Sequence, residues 1–147
     1  MKLKIVNRRI IDVMKKLDLP TGEYAVFGSG LLDVLGIRAS RDIDLILTRK
    51  LYEKLAADGW EKFQYDNGDD GLRNRDSGVY EAFYYCTLIP LHSEEDIKSY
   101  IKNAVMVDGV SFASLDDTLL WKSARGQEKD LRDVKLIKEY LVREGAK

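Results

Sequence analysis

The sequence predicts an α/β protein, in the broad sense that includes α+β folds, with a mixed β-sheet flanked by helices and a C-terminal pair of helices. Short apolar runs rich in Val, Ile, Leu and aromatic residues alternate with amphipathic segments along the chain. Its 147 residues match the size of one domain, and no repeat, linker or low-complexity segment divides them. We therefore expect a single domain over residues 1–147.

The first third of the chain predicts a helix followed by a strand, a helix and a strand. Val6, Ile10, Val13 and Leu17 recur at helical spacing, and the turn at residues 18–22 contains the Pro and Gly that end a helix. A strand that begins at residue 24, a short helix at residues 31–35 and a second strand that ends before residue 48 come next.

The middle of the chain predicts a helix at residues 51–57 and a strand at residues 60–65. Residues 66–78 are too polar for a core element, so we expect a loop or a long hairpin turn there. Residues 79–88 are rich in β-forming side chains, and Glu81 interrupts them with a charge.

Two capped helices and a hairpin are predicted next. Ser93 precedes a helix at residues 94–102, and the Asp-Gly pair at residues 108–109 favours a tight hairpin turn. Ser114 then caps a helix that runs through residue 125.

The final helix is predicted over residues 128–143, with Leu131, Val134, Leu141 and either Ile137 or Lys138 along one side. Three further side chains receive ordinary structural interpretations. Cys86 and Trp121 are expected in the core, and His92 is expected on a loop rather than in catalysis.

Two carboxylates, Asp42 and Asp44, alternate with aliphatic residues at the start of the second strand. Alternate residues share a face of a strand, so the two backbones lie roughly 6.5 Å apart and the acids face the same way. By leaning together, the carboxylates are able to bridge two divalent cations about 3.5 to 4 Å apart. Magnesium suits them, because it takes its ligands from one or two carboxylates plus substrate phosphates. The pair therefore predicts a two-metal site for nucleotidyl transfer.

The segment Gly28-Ser29-Gly30 ends the first strand and opens the helix that follows. Glycine permits close backbone approach to a ligand, and a helix start presents free amides to an anion. Ser29 is able to add its hydroxyl to the terminal phosphates. A dinucleotide-binding turn is excluded because Asp33 stands where its third glycine belongs, and the chain contains no Gly-Lys-Ser/Thr phosphate loop.

With Gly28-Ser29 at a helix start and Asp42-x-Asp44 on a strand, the chain resembles the nucleotidyltransferase superfamily with the polymerase-beta-like fold. The resemblance implies that fold, a nucleoside triphosphate such as ATP as substrate, and Mg²⁺ as cofactor. It also implies a third metal-binding carboxylate on a neighbouring strand, where most relatives have Asp. Glu81 is the best-placed candidate for this role, and a sheet-surface glutamate is the other interpretation.

Residues 115–133 resemble the helical end of small bacterial nucleotidyltransferases of the abortive-infection and toxin-antitoxin type. The resemblance implies that Lys122 holds a phosphate and that Lys129 adds a second positive group near it. It also implies that Asp130 orients a base or caps its helix. Solvated surface lysines and acids that complement a helix dipole are the ordinary alternatives for these residues.

The charge balance and the single cysteine limit the other classes of function. The chain has 24 basic and 25 acidic residues, so its near-zero net charge argues against a general attraction to nucleic acid or membranes. Cys86 alone excludes an internal disulfide, and charges interrupt every apolar run, so we expect a cytoplasmic protein without a membrane segment. Arg38 and Arg41 flank the acidic strand and either meet the triphosphate or pair with carboxylates; Arg41 is counted among the candidate nucleotide-binding residues.

These features together predict a metal-dependent nucleotidyltransferase that moves an NMP group from a nucleoside triphosphate to an acceptor hydroxyl. The acceptor is a protein, a tRNA or a small molecule. An alternative is a binding protein that keeps the fold with weak chemistry, such as a toxin-antitoxin partner. The sequence leaves the nucleotide preference and the oligomeric state open.

Overall fold

The computed structural model describes residues 2–145, which form a mixed α/β architecture of one seven-stranded sheet and six helices. The helices are α1 (Arg9–Leu17), α2 (Gly30–Val34), α3 (Arg49–Ala57), α4 (Glu94–Lys102), α5 (Leu115–Arg125) and α6 (Glu128–Gly145). The strands are β1 (Tyr24–Phe27), β2 (Ile43–Leu47), β3 (Glu61–Gln64), β4 (Asp70–Asn74), β5 (Val79–Phe83), β6 (Val105–Val107) and β7 (Val110–Phe112). No helix in this part of the chain has the length and apolar character needed to cross a bilayer.

The strand order is β3-β4-β5-β2-β1-β7-β6. Strands β2 and β5 are parallel, as are β1 and β7, whereas the remaining neighbours are antiparallel. Near the middle of the sheet, Phe27 of β1 pairs with Asp44 of β2, and Asp44 pairs with Glu81 of β5. Two carboxylates therefore occupy neighbouring positions on central strands.

Alternation along β2 divides the apolar interior between the two faces of the sheet. Leu45 belongs to the larger apolar cluster, with Ile10 of α1 and Leu32 of α2. Ile46 belongs to a second cluster on the opposite face, with Trp121 of α5. Asp44 lies two residues before Ile46 and therefore shares its face of the sheet. This is the face covered by α4 and α5.

Local capping and turn signals predicted several elements correctly. The Ser93 hydroxyl accepts a hydrogen bond from the backbone N–H of Asp96 at 3.1 Å, within a complete capping box at the start of α4. Ser114 accepts from the N–H of Asp117 at 3.1 Å and starts α5. Residues 108–109 join β6 to β7 with φ of +48° and +81°, the left-handed backbone that an Asp-Gly turn supplies.

The predicted apolar stripes of the first and last helices are partly wrong. Helix α1 begins at Arg9, and Val6 lies before it with 65% of its surface exposed. The Val6 N–H donates to the Val34 carbonyl at 2.8 Å, so the segment before α1 lies against the end of α2. On α6, Leu131 is 53% exposed, because a different face of the helix is buried. The buried residues of that face are Asp130, Asp133, Val134, Ile137 and Tyr140.

The prediction of a loop or a long hairpin turn over residues 66–78 is wrong at its centre, where β4 forms between β3 and β5. Leu72 is fully buried and lies opposite Ala82 of β5. The only large aliphatic side chain of β4 is enough to anchor it, because two neighbouring strands supply hydrogen-bond partners. This middle strand of the β3-β4-β5 meander therefore depends on pairing with the strands on both sides of it.

Candidate active site

A pair of carboxylates from neighbouring strands forms the centre of the candidate site. Asp44 on β2 and Glu81 on β5 lie opposite each other in the parallel ladder, next to a register irregularity between Ile43 and Asp44. Asp42 precedes β2 and is exposed in a bend, so only Asp44 of the two predicted acids lies on the strand. The acid next to Asp44 in the sheet is Glu81 of β5. The charge of Asp42 nevertheless reaches both members of this pair.

The carboxylate of Asp44 is in an unfavourable environment for a negative charge. Burial is the largest cause that raises its pKa, to about 7, and the charges of Glu81 and Asp42 raise it further. Its Oδ1 atom is completely buried and has no hydrogen-bond partner. Burial also raises the pKa of Glu81, against the effect of a hydrogen bond from the Tyr65 hydroxyl. Ionisation of both acids together is therefore unfavourable, and a further positive charge beside them would favour it.

The Gly28-Ser29 bend lies directly beside Asp44. Gly28 has a left-handed backbone with φ +65°, and a Cβ atom added to it would lie 3.4 Å from Asp44 Oδ2. Ser29 is the N-cap residue of the five-residue helix α2, and its hydroxyl accepts a hydrogen bond from Arg38 Nη2 at 2.5 Å. The predicted proximity of bend and carboxylate is therefore present, and Arg38 contacts the bend through Ser29.

A buried carboxylate on α6 gathers two cations at this site. Asp133 accepts from Arg38 Nε at 2.6 Å and Arg38 Nη2 at 2.8 Å, and from Lys122 Nζ at 2.9 Å. Burial opposes its ionisation, but the bonds from Arg38 and Lys122 outweigh that cost, so the pKa of Asp133 is lowered. The sequence did not single out Asp133, although its position three residues after Asp130 on the buried face of α6 offered a signal.

A second ion pair lies where α5 meets α6. Arg125 donates to both oxygens of Asp130 at 2.7 Å, and Asp130 also accepts from the Gln127 N–H at 3.1 Å. Asp130 is fully buried, and its bond to the Gln127 N–H lies at the first turn of α6. Of the two roles expected for Asp130, this contact corresponds to capping its helix. Lys129 is exposed and has no hydrogen bond or ion pair within residues 2–145.

These groups surround one cavity of about 220 Å³. Its charged lining comprises Arg38, Asp44, Glu81, Lys122, Arg125, Lys129 and Asp133, and the Gly28-Ser29 bend completes the polar rim. Aromatic side chains form another part of the wall, with the rings of Phe27 and Trp121 stacked at a centroid distance of 5.1 Å. The cavity lining therefore includes every residue predicted for this site except Asp42, Arg41 and Asp130.

Arg41 lies outside the cavity. It is exposed before β2 and lines a separate surface depression with Arg9 and Asp33, among others. Arg38, which flanks the same strand, enters the cavity instead and pairs with Asp133.

His92 lies on the expected loop but is 1% exposed and forms part of the cavity wall. Its Nδ1 donates to the Pro90 carbonyl at 2.9 Å, so the neutral ring carries its proton there. Burial lowers the pKa of His92 to about 4. Its Nε2 and the Nε1 of Trp121 are both buried without hydrogen-bond partners. No local sequence pattern indicates this placement of His92.

The donor set at the centre of the site fits Mg²⁺. Asp44, Glu81 and the nearby Asp42 offer hard carboxylate oxygens, and the unpartnered Asp44 Oδ1 is the kind of atom that a cation satisfies. No group of three or more His, Cys, Asp or Glu side chains within residues 2–145 is close enough to hold a metal ion alone. Substrate phosphates would supply further ligands, as is usual for Mg²⁺.

Comparison of the chain with known proteins identifies no family. No protein-family model, no curated protein and no solved structure matches it. The functional interpretation therefore depends on the side chains around the cavity and on their geometry.

Proposed function

We propose that the protein is a metal-dependent nucleotidyltransferase with a polymerase-beta-like fold, which transfers an NMP group from a nucleoside triphosphate to an acceptor hydroxyl. The observation that carries this proposal is the placement of Asp44 and Glu81 side by side, next to Gly28-Ser29 and in the same cavity as Lys122. Paired acids without a cation are unfavourable, and a cation-bound polyphosphate satisfies both them and the lysines.

Within this proposal, Asp44 and Glu81 would hold Mg²⁺ with help from Asp42. When bound, the metal would offset phosphate charge and make the acceptor hydroxyl more acidic. The acceptor oxygen forms a bond to the α-phosphorus, the bond to the pyrophosphate oxygen breaks, and Glu81 takes the hydroxyl proton. The Tyr65 hydroxyl, which bonds to Glu81, orients that carboxylate.

The cations hold the leaving pyrophosphate. Lys129 is free to contact a phosphate oxygen directly, and Lys122 and Arg38 lie beside it in the same wall. Gly28 lets the backbone come close to the phosphates. Backbone N–H groups of this bend and the Ser29 hydroxyl then act as neutral donors on the other side of the phosphates. These positions divide the recognition of the triphosphate between the β1–α2 bend and the C-terminal helix pair.

A second candidate is a binding protein of the same fold with weak chemistry, such as one component of a toxin-antitoxin pair. The observation that favours it is the internal neutralisation of the cavity cations. Asp133 already pairs with Arg38 and Lys122, and Asp130 with Arg125. A phosphate has to compete with these acids or share their partners.

Calorimetric titration with nucleoside triphosphate and Mg²⁺ tests the proposal. We expect tight, metal-dependent binding that is lost when Asp42→Asn and Asp44→Asn are combined. Asp116→Asn, an exposed acid on α5 outside the cavity, serves as the matched control and should bind normally. Metal-independent binding would favour the second candidate, and the absence of binding would contradict the enzyme proposal.

A further inference from the structure

We propose that the cavity selects its nucleotide by the triphosphate and does not read the base. This inference rests on the proposed function, because it concerns the same cavity, and it goes further by stating which part of the nucleotide the chain recognises. The size of the cavity, the polar groups in its wall and the enclosure of its aromatic rings support it independently.

The volume of the cavity accommodates only part of a nucleotide. It measures about 220 Å³. Pockets that enclose most of a drug-sized ligand occupy about 300–1,000 Å³. The cations and the carboxylate pair already define where the phosphates and their metal lie within this space. The ribose and the base therefore extend beyond the mouth of the cavity.

The polar groups of the cavity match phosphate oxygens rather than a base edge. Four cationic side chains contribute to the wall, and ammonium and guanidinium groups form strong charge-assisted bonds to phosphate. Reading a base edge requires a neighbouring donor and acceptor, as in an Asn or Gln amide. No such amide side chain lines the cavity in the described part of the chain, and Asp133 is already bonded to two cations.

The aromatic rings of the wall offer no open face for a base to stack on. Phe27, Phe83, His92 and Trp121 are between 1% and 5% exposed. Their faces and edges contact one another, as in the stacked pair of Phe27 and Trp121 and the perpendicular pair of His92 and Trp121 at 5.0 Å. Base recognition by stacking requires an accessible ring face. The unpartnered nitrogens of His92 and Trp121 are equally closed to a base.

Calorimetric titrations in Mg²⁺ with five probes test this inference. The probes are ATP, GTP, CTP, UTP and inorganic triphosphate. We expect the four nucleotides to bind within about threefold of one another and inorganic triphosphate within about tenfold of them, since most binding free energy resides in the phosphates. Adenosine, which has the base and ribose alone, should show no binding.

Two lysines of α6 provide a matched pair of variants. Lys129→Ala removes the unpaired cation of the cavity, and we expect it to weaken all five probes by a common factor of about ten. Lys135→Ala removes an exposed lysine of the same helix that does not line the cavity, and it should leave every affinity unchanged. A loss confined to one nucleotide in Lys129→Ala would contradict base-independent recognition.

The outcomes separate this inference from the proposed function. If one nucleotide binds more than about tenfold tighter than the other three and inorganic triphosphate does not bind, the base is read and the inference is overturned, while the nucleotidyltransferase proposal stands. If none of the five probes binds, the proposed function fails and the inference fails with it.

Discussion

Replacement of Asp44 by Asn should stabilise the metal-free protein at the expense of its function. The Asp44 carboxylate lies beside Glu81 without a hydrogen-bond partner for Oδ1. Asn has nearly the same shape and no charge, so the variant removes both the burial cost of the ionised group and its repulsion from Glu81. An acid kept for ligand binding commonly lowers stability in this way.

The magnitude follows from the pKa of Asp44, which burial and the charge of Glu81 raise to about 7 from an ordinary 3.8. Each unit of pKa corresponds to about 1.4 kcal/mol, so the ionised carboxylate costs the folded state about 4 kcal/mol. The folded protein binds this proton more tightly than the unfolded chain does. The contribution of Asp44 is therefore fully favourable below about pH 4 and is lost as the pH rises to about 7.

Urea unfolding in the presence of a chelator, at pH 4 and pH 8, measures this effect. We expect Asp44→Asn to match the parent protein at pH 4 and to exceed its free energy of unfolding by up to about 4 kcal/mol at pH 8. Asp42→Asn, which changes an exposed acid before β2, is the control and should shift stability much less. A gap between Asp44→Asn and the parent protein that stays constant with pH would refute the reasoning.

Two further substitutions test the ion pairs and the aromatic wall. Asp133→Asn leaves Lys122 buried without its anionic partner, so we expect the free energy of unfolding measured in urea to fall by about 3 kcal/mol; an unchanged midpoint would contradict this. The pKa of His92, lowered to about 4 by burial, means that the unfolded chain takes up a proton first as the pH falls below about 6.5. The parent protein should therefore lose about 3 kcal/mol between pH 6.5 and pH 4 relative to His92→Phe, and parallel pH curves for the two proteins would contradict the assignment.

Elements with strong signals of their own were predictable, whereas a strand that forms only by pairing with its neighbours was not. Helix α4 has a capping box at Ser93, and the β6–β7 hairpin has an Asp-Gly turn, so neighbouring residues alone specify both. Strand β4 has Leu72 as its one large aliphatic residue and forms because β3 and β5 pair with it on either side. No local pattern carries that information.

The same distinction applies to the candidate site. The bend at Gly28 and the acid at Asp44 were identified from sequence because each belongs to a short motif on a strand end. The link between Arg38 and Asp133 joins residues 95 positions apart, and the burial of His92 depends on Phe27 of β1 and on the helices α4 and α5. The sequence therefore identified the carboxylate and the bend, and the fold was needed to show which cations surround them.

The buried acids within residues 2–145 show by contrast why the half-buried Asp44 calls for a ligand. Asp33 accepts from the Ser40 N–H at 2.7 Å, and Asp69 accepts from the Thr87 N–H at 2.7 Å. Two further buried acids, Asp130 and Asp133, form ion pairs with cationic side chains. The Asp44 side chain has no hydrogen bond or ion pair within residues 2–145, and its register partner on β5 is a second acid. Because each of these four acids has at least one hydrogen-bond or ion-pair partner for its carboxylate, a cation supplied from solution is the simplest physical reason for an acid at the Asp44 position.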